Sequence, residues 1–183
     1  MIISKTAKLV AMAAFALGCS AGANATTTNL GALPHGATAF NGVVPAAGPF
    51  VDVYTFSLPA NGGSGYSVLN FPLDIPNVGS FNTAFSFLSL WSNPDGILYN
   101  TDDHELKTVT GSNANGLSFN WGSNASGNLY LLVGGVANGS LGGLYSGAIS
   151  AAVPEPYEWA MMIAGLGLVG TMRYKRRNQK SAG

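Results

Sequence analysis

The central part of this sequence, Thr26 to Ala152, predicts an all-β fold: a single β-sandwich domain of jelly-roll-like type. Three observations carry the prediction. Short apolar or alternating runs recur along the whole stretch, turn-forming clusters separate them, and no segment shows a sustained 3.6-residue period. Roughly 127 residues also suffice for one compact core, burying about two-thirds of the unfolded surface. The segments on either side, residues 1–25 and 153–183, have a different character and are expected to lie outside this domain.

Phe50 to Leu58 is the clearest strand: Phe50, Asp52, Tyr54, Phe56 and Leu58 fall on one face, and Val51, Val53, Thr55 and Ser57 on the other. Tyr66 to Phe71, Phe81 to Trp91, Leu117 to Trp121, Leu129 to Val133 and Tyr145 to Ala151 continue the series. Between them lie Asn61 to Gly65, Asn93-Pro94-Asp95-Gly96, Ser112 to Gly116, Gly122 to Gly127 and Asn138 to Gly143. Glycine and asparagine there supply positive φ and side-chain to backbone hydrogen bonds. The later half of Phe81 to Trp91 is apolar on both faces, which predicts the centre of a sheet. Leu129 to Val133 is apolar on both faces too and predicts a second buried strand.

Residues 1–25 read as a secretory signal peptide. Lys5 and Lys8 precede the apolar stretch Leu9 to Gly18, and Ala23-Asn24-Ala25 supplies an A-x-A end, so cleavage is expected after Ala25. A lipoprotein signal around Cys19 is the second reading, disfavoured by Ala16 at the position three before the cysteine. Removal of Cys19 with the signal would leave no thiol for a disulfide or a metal.

At the other end, Val153-Pro154-Glu155-Pro156 precedes an uncharged run from Trp159 to Met172, followed by Arg173, Lys175, Arg176, Arg177 and Lys180. The run is somewhat short for a span of about 20 residues, but Tyr157 and Tyr174 place aromatic rings at both ends. The basic residues behind it favour a cytoplasmic C-terminus, making this a transmembrane helix with a basic stop. Gly165, Gly167 and Gly170 spell G-x-G-x-x-G, but with no acidic residue after them they read as a small-residue helix face for a membrane partner and not as a dinucleotide fingerprint.

This tripartite tail resembles the PEP-CTERM sorting domain of Gram-negative bacteria. The resemblance implies an inner-membrane intermediate handled by an exosortase-type processing enzyme, followed by release to the outer surface or the extracellular matrix. Pro154, Glu155 and Pro156 would be the recognised residues, the two prolines holding an extended backbone around one charge.

Nearly all positive charge sits at the two ends. Between Thr26 and Ala152, Lys107 stands against Asp52, Asp74, Asp95, Asp102, Asp103 and Glu105. Nucleic-acid binding needs a cationic footprint, and this region has none. Its wealth of Gly, Asn, Ser, Thr and Ala fits a secreted β-protein.

Phe50-Val51-Asp52-Val53-Tyr54, together with Gly143-Leu144-Tyr145-Ser146-Gly147, resembles the FxDxF family of PEP-CTERM proteins, with Tyr54 in place of the final phenylalanine. The strand layout is also similar to small β-sandwich accessory domains attached to secreted peptidases and glycosidases. Neither resemblance implies an activity.

Catalytic chemistry finds little support in the residue inventory. His35 and His104 are the only histidines, no G-x-S-x-G is present, and the acids do not form two segments across a cleft, so no enzyme is expected. Asp52, on an apolar strand face, must be hydrogen-bonded, paired or metal-bound if buried. Satisfaction by a turn or by a neighbouring loop's amides is the simpler expectation, with calcium ligation second. Asp95, Asp102, Asp103 and Glu105 could offer oxygens to Ca2+, but their spacing departs from D-x-[DN]-x-[DN]-G, and a solvated acidic loop is expected. No cofactor is otherwise implied. Trp91, Trp121, Tyr99 and Tyr130 could stack on sugars, although three of them lie in strand-like runs that predict core packing. The expected role is therefore structural or adhesive within an exopolysaccharide or biofilm matrix, with a glycan-binding module or a permanently membrane-anchored surface protein as alternatives.

Overall fold

The computed structural model describes residues 24–122, 125–152 and 161–168. The chain divides into two units, 1–152 and 153–183.

Among its described residues the first unit has eleven strands: β1 Thr27–Ala32, β2 Gly36–Val44, β3 Gly48–Leu58, β4 Ser64–Asn70, β5 Leu73–Ile75, β6 Gly79–Phe81, β7 Thr83–Ser92, β8 His104–Ala114, β9 Gly116–Trp121, β10 Gly127–Ala137 and β11 Gly143–Ala151. One sheet has the order β1-β3-β10-β7-β8 and the other β2-β11-β4-β9, while β5 and β6 form a separate hairpin. Only the β1–β3 pairing is parallel among these strands. The two large sheets share one core: Phe50, Tyr54, Phe56, Leu88, Leu90, Leu129, Leu131 and Val133 from the first pack with Phe40, Tyr66, Val68, Phe119, Tyr145 and Ile149 from the second. This is an all-β sandwich, as the alternating runs predict.

The alternation of β3 is realised as read, with Phe50, Tyr54, Phe56 and Leu58 in the core and Val51 and Val53 on the opposite face. Strand β10 is apolar on both faces because it is the middle strand of the five: Leu129, Leu131 and Val133 face the core, whereas Tyr130 and Leu132 join a second apolar cluster on the outer face. Strand β7 is interior but not central. Its face pattern also differs from a simple two-residue period, because a register shift between Phe85 and Phe87 reverses the alternation. Phe85 therefore points into the core along with Leu88 and Leu90, while Phe87 and Trp91 pack on the outer cluster.

Five strands escape the sequence pattern. Strands β5 and β6 are three residues each, too short to show a period, and Asn82 separates β6 from β7 inside the expected strand Phe81 to Trp91. Strands β1, β2 and β8 have reasons of their own. Strand β1 is an exposed edge whose Leu30 alone packs against the core. Strand β2 does alternate, but Gly42 stands among its buried positions. That glycine makes room for a ring, since a Cβ on Gly42 would fall inside the Tyr145 side chain directly opposite. Strand β8 is an edge whose pairing with β7 slips twice, which erases any regular period. It absorbs Ser112 to Ala114, leaving Asn115 between β8 and β9 where a longer turn is expected.

In the second unit the described residues, 161–168, are helical, with Met161, Ile163, Leu166 and Leu168 exposed. Among the described residues no helix is long and apolar enough to cross a membrane. Of the expected transmembrane run, Trp159 to Met172, residues 161–168 are described and the rest lies outside the described residues, as do residues 1–23 of the expected signal peptide, Val153 to Pro156, Gly170, Arg173, Lys175, Arg176 and Arg177. Gly165 and Gly167 lie within the short helix, with open space where a side chain would begin.

Candidate functional site

Strand β3 places Asp52 among aromatic core residues, and the carboxylate is 1% exposed. Burial of a carboxyl group in such surroundings requires polar partners, which come from just before the first strand and from the last. Thr26 donates to Oδ1 from its backbone N–H at 3.0 Å and from its hydroxyl at 2.6 Å. The Tyr145 hydroxyl donates to Oδ2 at 2.5 Å. Tyr54 continues the chain: its hydroxyl lies 2.8 Å from that of Tyr145 and donates to the Asn41 carbonyl at 3.0 Å.

Tyr145 thus touches every residue of the Phe50-x-Asp52-x-Tyr54 pattern. Its ring stacks on Phe50 at 5.6 Å and meets Phe85 edge-on, while its hydroxyl serves Asp52 and Tyr54. The two short stretches that carry the FxDxF resemblance are one cluster in space. Burial, the Tyr54 hydroxyl and the Asp52 carboxylate push the Tyr145 phenol well above its ordinary range. Burial likewise raises Tyr54 to about 12, with a smaller contribution from Asp52. These phenols are fixed hydrogen-bond donors at physiological pH, so the cluster joins β3 of one sheet, β11 of the other and the residue ahead of β1. Of its partners, Thr26 and Asn41 carry no signal in the sequence that points to Asp52.

On the outer face of the five-stranded sheet, the loop from Asn93 to Asp103 closes over the second apolar cluster. Trp91 stacks on Tyr130 at 5.9 Å with rings nearly parallel, and Tyr99 meets Tyr130 edge-on at 5.9 Å. Asp103 Oδ2 accepts from the backbone N–H of Tyr99 and Asn100 and from the Tyr130 hydroxyl. Its Oδ1 and the side-chain oxygen of Asn93 are buried and have no partner among the described residues. Asp95 accepts from the Ile97 N–H and the Asn100 side-chain amide. Burial and the charge of Asp103 raise the phenols of Tyr130 and Tyr99.

The four acids proposed for Ca2+ are thus not assembled as a cage. Asp95 and Asp103 organise the loop, Asp102 accompanies them, and Glu105 lies on β8 opposite Trp91. Among the described residues no group of three or more His, Cys, Asp or Glu side chains is placed to hold a metal ion.

Of the four aromatic residues considered for sugar stacking, Tyr130 is fully buried and Trp91 is half-buried, its indole N–H donating to Ser89. Tyr99 is 51% exposed. Trp121 lines an open groove of ≈ 340 Å3 with Gly63, Gly65, Asn120 and Ser150. His104 begins β8, and His35 precedes β2; both are exposed.

No protein-family model matches the chain, and no curated protein matches it. Among solved structures, the pre-peptidase C-terminal domain of a collagenase from Bacillus anthracis is 20% identical, over 68% of this chain and 94% of that one, with a TM-score of 0.38. A periplasmic inhibitor of g-type lysozyme from Aeromonas hydrophila is 14% identical, over 70% and 98%, with a TM-score of 0.39. A surface-associated copper-binding protein from Methylomicrobium album BG8 is 6% identical, over 73% and 100%, with a TM-score of 0.34.

Proposed function

We propose that this chain is an exported β-sandwich protein, sorted through its C-terminal segment by an exosortase-type enzyme, with a non-catalytic structural or adhesive role at the cell surface or in the exopolysaccharide matrix. The observation that carries the sorting reading is the order Val153-Pro154-Glu155-Pro156, uncharged run, basic stop, which begins one residue beyond Ala152, just past the last strand. The outer face of the four-stranded sheet supports the adhesive role. It presents Ala37, Ala39, Ser67, Ser118, Ala148 and Ser150, with no charge among them, and ends in Val43, Leu69 and Phe71, each more than half exposed. An uncharged face with apolar residues at one end suits contact with a neutral polymer or another uncharged surface.

A glycan-binding module is the second reading, favoured by the groove that Trp121 shares with small and amide-bearing residues. The intact mass of protein recovered from the cell surface and from the medium tests the sorting reading. A chain ending near Val153 to Pro156 is expected. Recovery of chains still carrying Trp159 to Gly183 would instead make the segment a permanent anchor and overturn the sorting reading.

A further inference from the structure

Asp52 is the most deeply buried carboxylate among the described residues, and none of its three hydrogen-bond donors is cationic. Lys107 is engaged elsewhere, donating to the Asn120 carbonyl beside the Phe119 ring. One donor, however, is the backbone nitrogen of Thr26, the residue that follows the A-x-A end of the expected signal peptide. We infer that the α-amino group released at Thr26 by removal of residues 1–25 becomes the ionic partner of Asp52, so that export processing completes the buried cluster. The inference rests on the export reading and deepens it.

The chemistry is a hydrolysis. A signal-cleaving peptidase adds water across the Ala25–Thr26 bond, leaving a carboxylate on Ala25 and an amine on Thr26 that takes up a proton. The nitrogen that donates one hydrogen bond as an amide then carries a full positive charge, 3.0 Å from Oδ1. Charge-assisted bonds of this kind are roughly twice as strong as neutral ones.

Two features keep the new terminus in place once the preceding residues are gone. The Thr26 hydroxyl donates to the same oxygen, and the Thr26 carbonyl accepts from the Val53 N–H at 2.8 Å. Thr26 is itself exposed, so the ammonium stays hydrated on its outer side and avoids the full desolvation penalty of a buried ion pair. The other titratable groups facing the pair are Tyr54 of β3 and Tyr145 of β11, whose phenols are pushed upward and stay neutral through the range in which an amine titrates.

The test follows the Thr26 carbon resonances by NMR as the exported protein is titrated from about pH 6 to about pH 11, against an ordinary α-amino range of about 7.7 to 8.0. The expected result is a midpoint at least about one unit above that range. It should return to the ordinary range in Asp52→Asn and, should that variant not fold, in a variant processed one residue earlier so that Ala25 leads the chain.

A protein that starts at Thr26 but titrates ordinarily overturns the pairing and leaves export intact. A chain that starts at Asn24 also overturns it, since its backbone then continues to pair with β3 through Asn24 and Val51. Recovery of exported-fraction protein with residues 1–25 attached sinks the export reading itself, and the inference with it.

Discussion

Asp52 and Asp103 lie on opposite faces of the same sheet, and each accepts a tyrosine hydroxyl, yet they tie together different things. Asp52 draws its donors from residues 26 and 93 positions away, reaching the residue ahead of the first strand and the last strand. Asp103 takes two of its donors from within four residues, and only Tyr130 comes from farther along the chain. The inner carboxylate has both oxygens satisfied, whereas the outer one keeps a buried oxygen without a partner among the described residues. A carboxylate that collects long-range donors holds the two sheets together, and one that collects local donors shapes a loop.

Removing each carboxylate should expose that difference. Asp52→Ala leaves the buried Tyr145 hydroxyl to find another acceptor in a packed core and frees the Thr26 donors at its edge, and unmet buried donors cost about 1–3 kcal/mol each. A global loss of about 3 kcal/mol is expected, read as a fall in the denaturant midpoint with little change in slope. A loss below about 1 kcal/mol would mean that the cluster does not hold the sheets together.

Asp103→Ala should cost less, about 1–2 kcal/mol, because its backbone donors lie near the surface where water can replace the acceptor. Its mark is local: amide exchange at Tyr99 and Asn100 should accelerate while the core strands β3 and β10 keep their protection. Equal acceleration in β10 would show that the loop and the sheet unfold as one unit, erasing the distinction between the two carboxylates.

The inner region was the more legible of the two in the sequence. Phe50 to Leu58 alternates strictly, so Asp52 could be placed on a buried face from the pattern alone. That Tyr145 would satisfy it was not legible, because a hydroxyl and a carboxylate so far apart in the chain carry no mutual spacing signal. Thr26 was hidden for another reason: it precedes an exposed edge strand held by backbone pairing, which leaves no hydrophobic period. On the outer face, Asn93-Pro94-Asp95-Gly96 announced a turn, and the structure places a loop there. What could not be read was that Asp103 accepts from Tyr130, or that the register shift in β7 turns Trp91 outward to stack on the same ring.

The gentlest probe of the comparison is the ionisation of the tyrosines, which leaves stability at neutral pH untouched. A phenol whose pKa is raised by folding contributes stability that is complete below the unfolded value, about 10, and is lost as pH rises through the folded value. Tyr54 and Tyr66 are both raised to about 12, each chiefly by burial, and Tyr145 and Tyr130 are raised as well. Alkaline unfolding is therefore expected between about pH 10 and about pH 12, with the buried phenolates appearing cooperatively as the sandwich opens. Tyr99, half-exposed and itself raised by burial and Asp103, should ionise as the first, reversible phase within that range, and Tyr99→Phe identifies its share of the absorbance. Because the charge of Asp103 helps to raise Tyr99, Asp103→Asn should move this early phase to lower pH, while Asp52→Asn should move only the cooperative one. Asp103 also raises Tyr130, so Asp103→Asn moves the cooperative phase too; the deciding outcome is a shift of the early phase by Asp52→Asn, which would show that the two faces of the sheet are electrostatically one region.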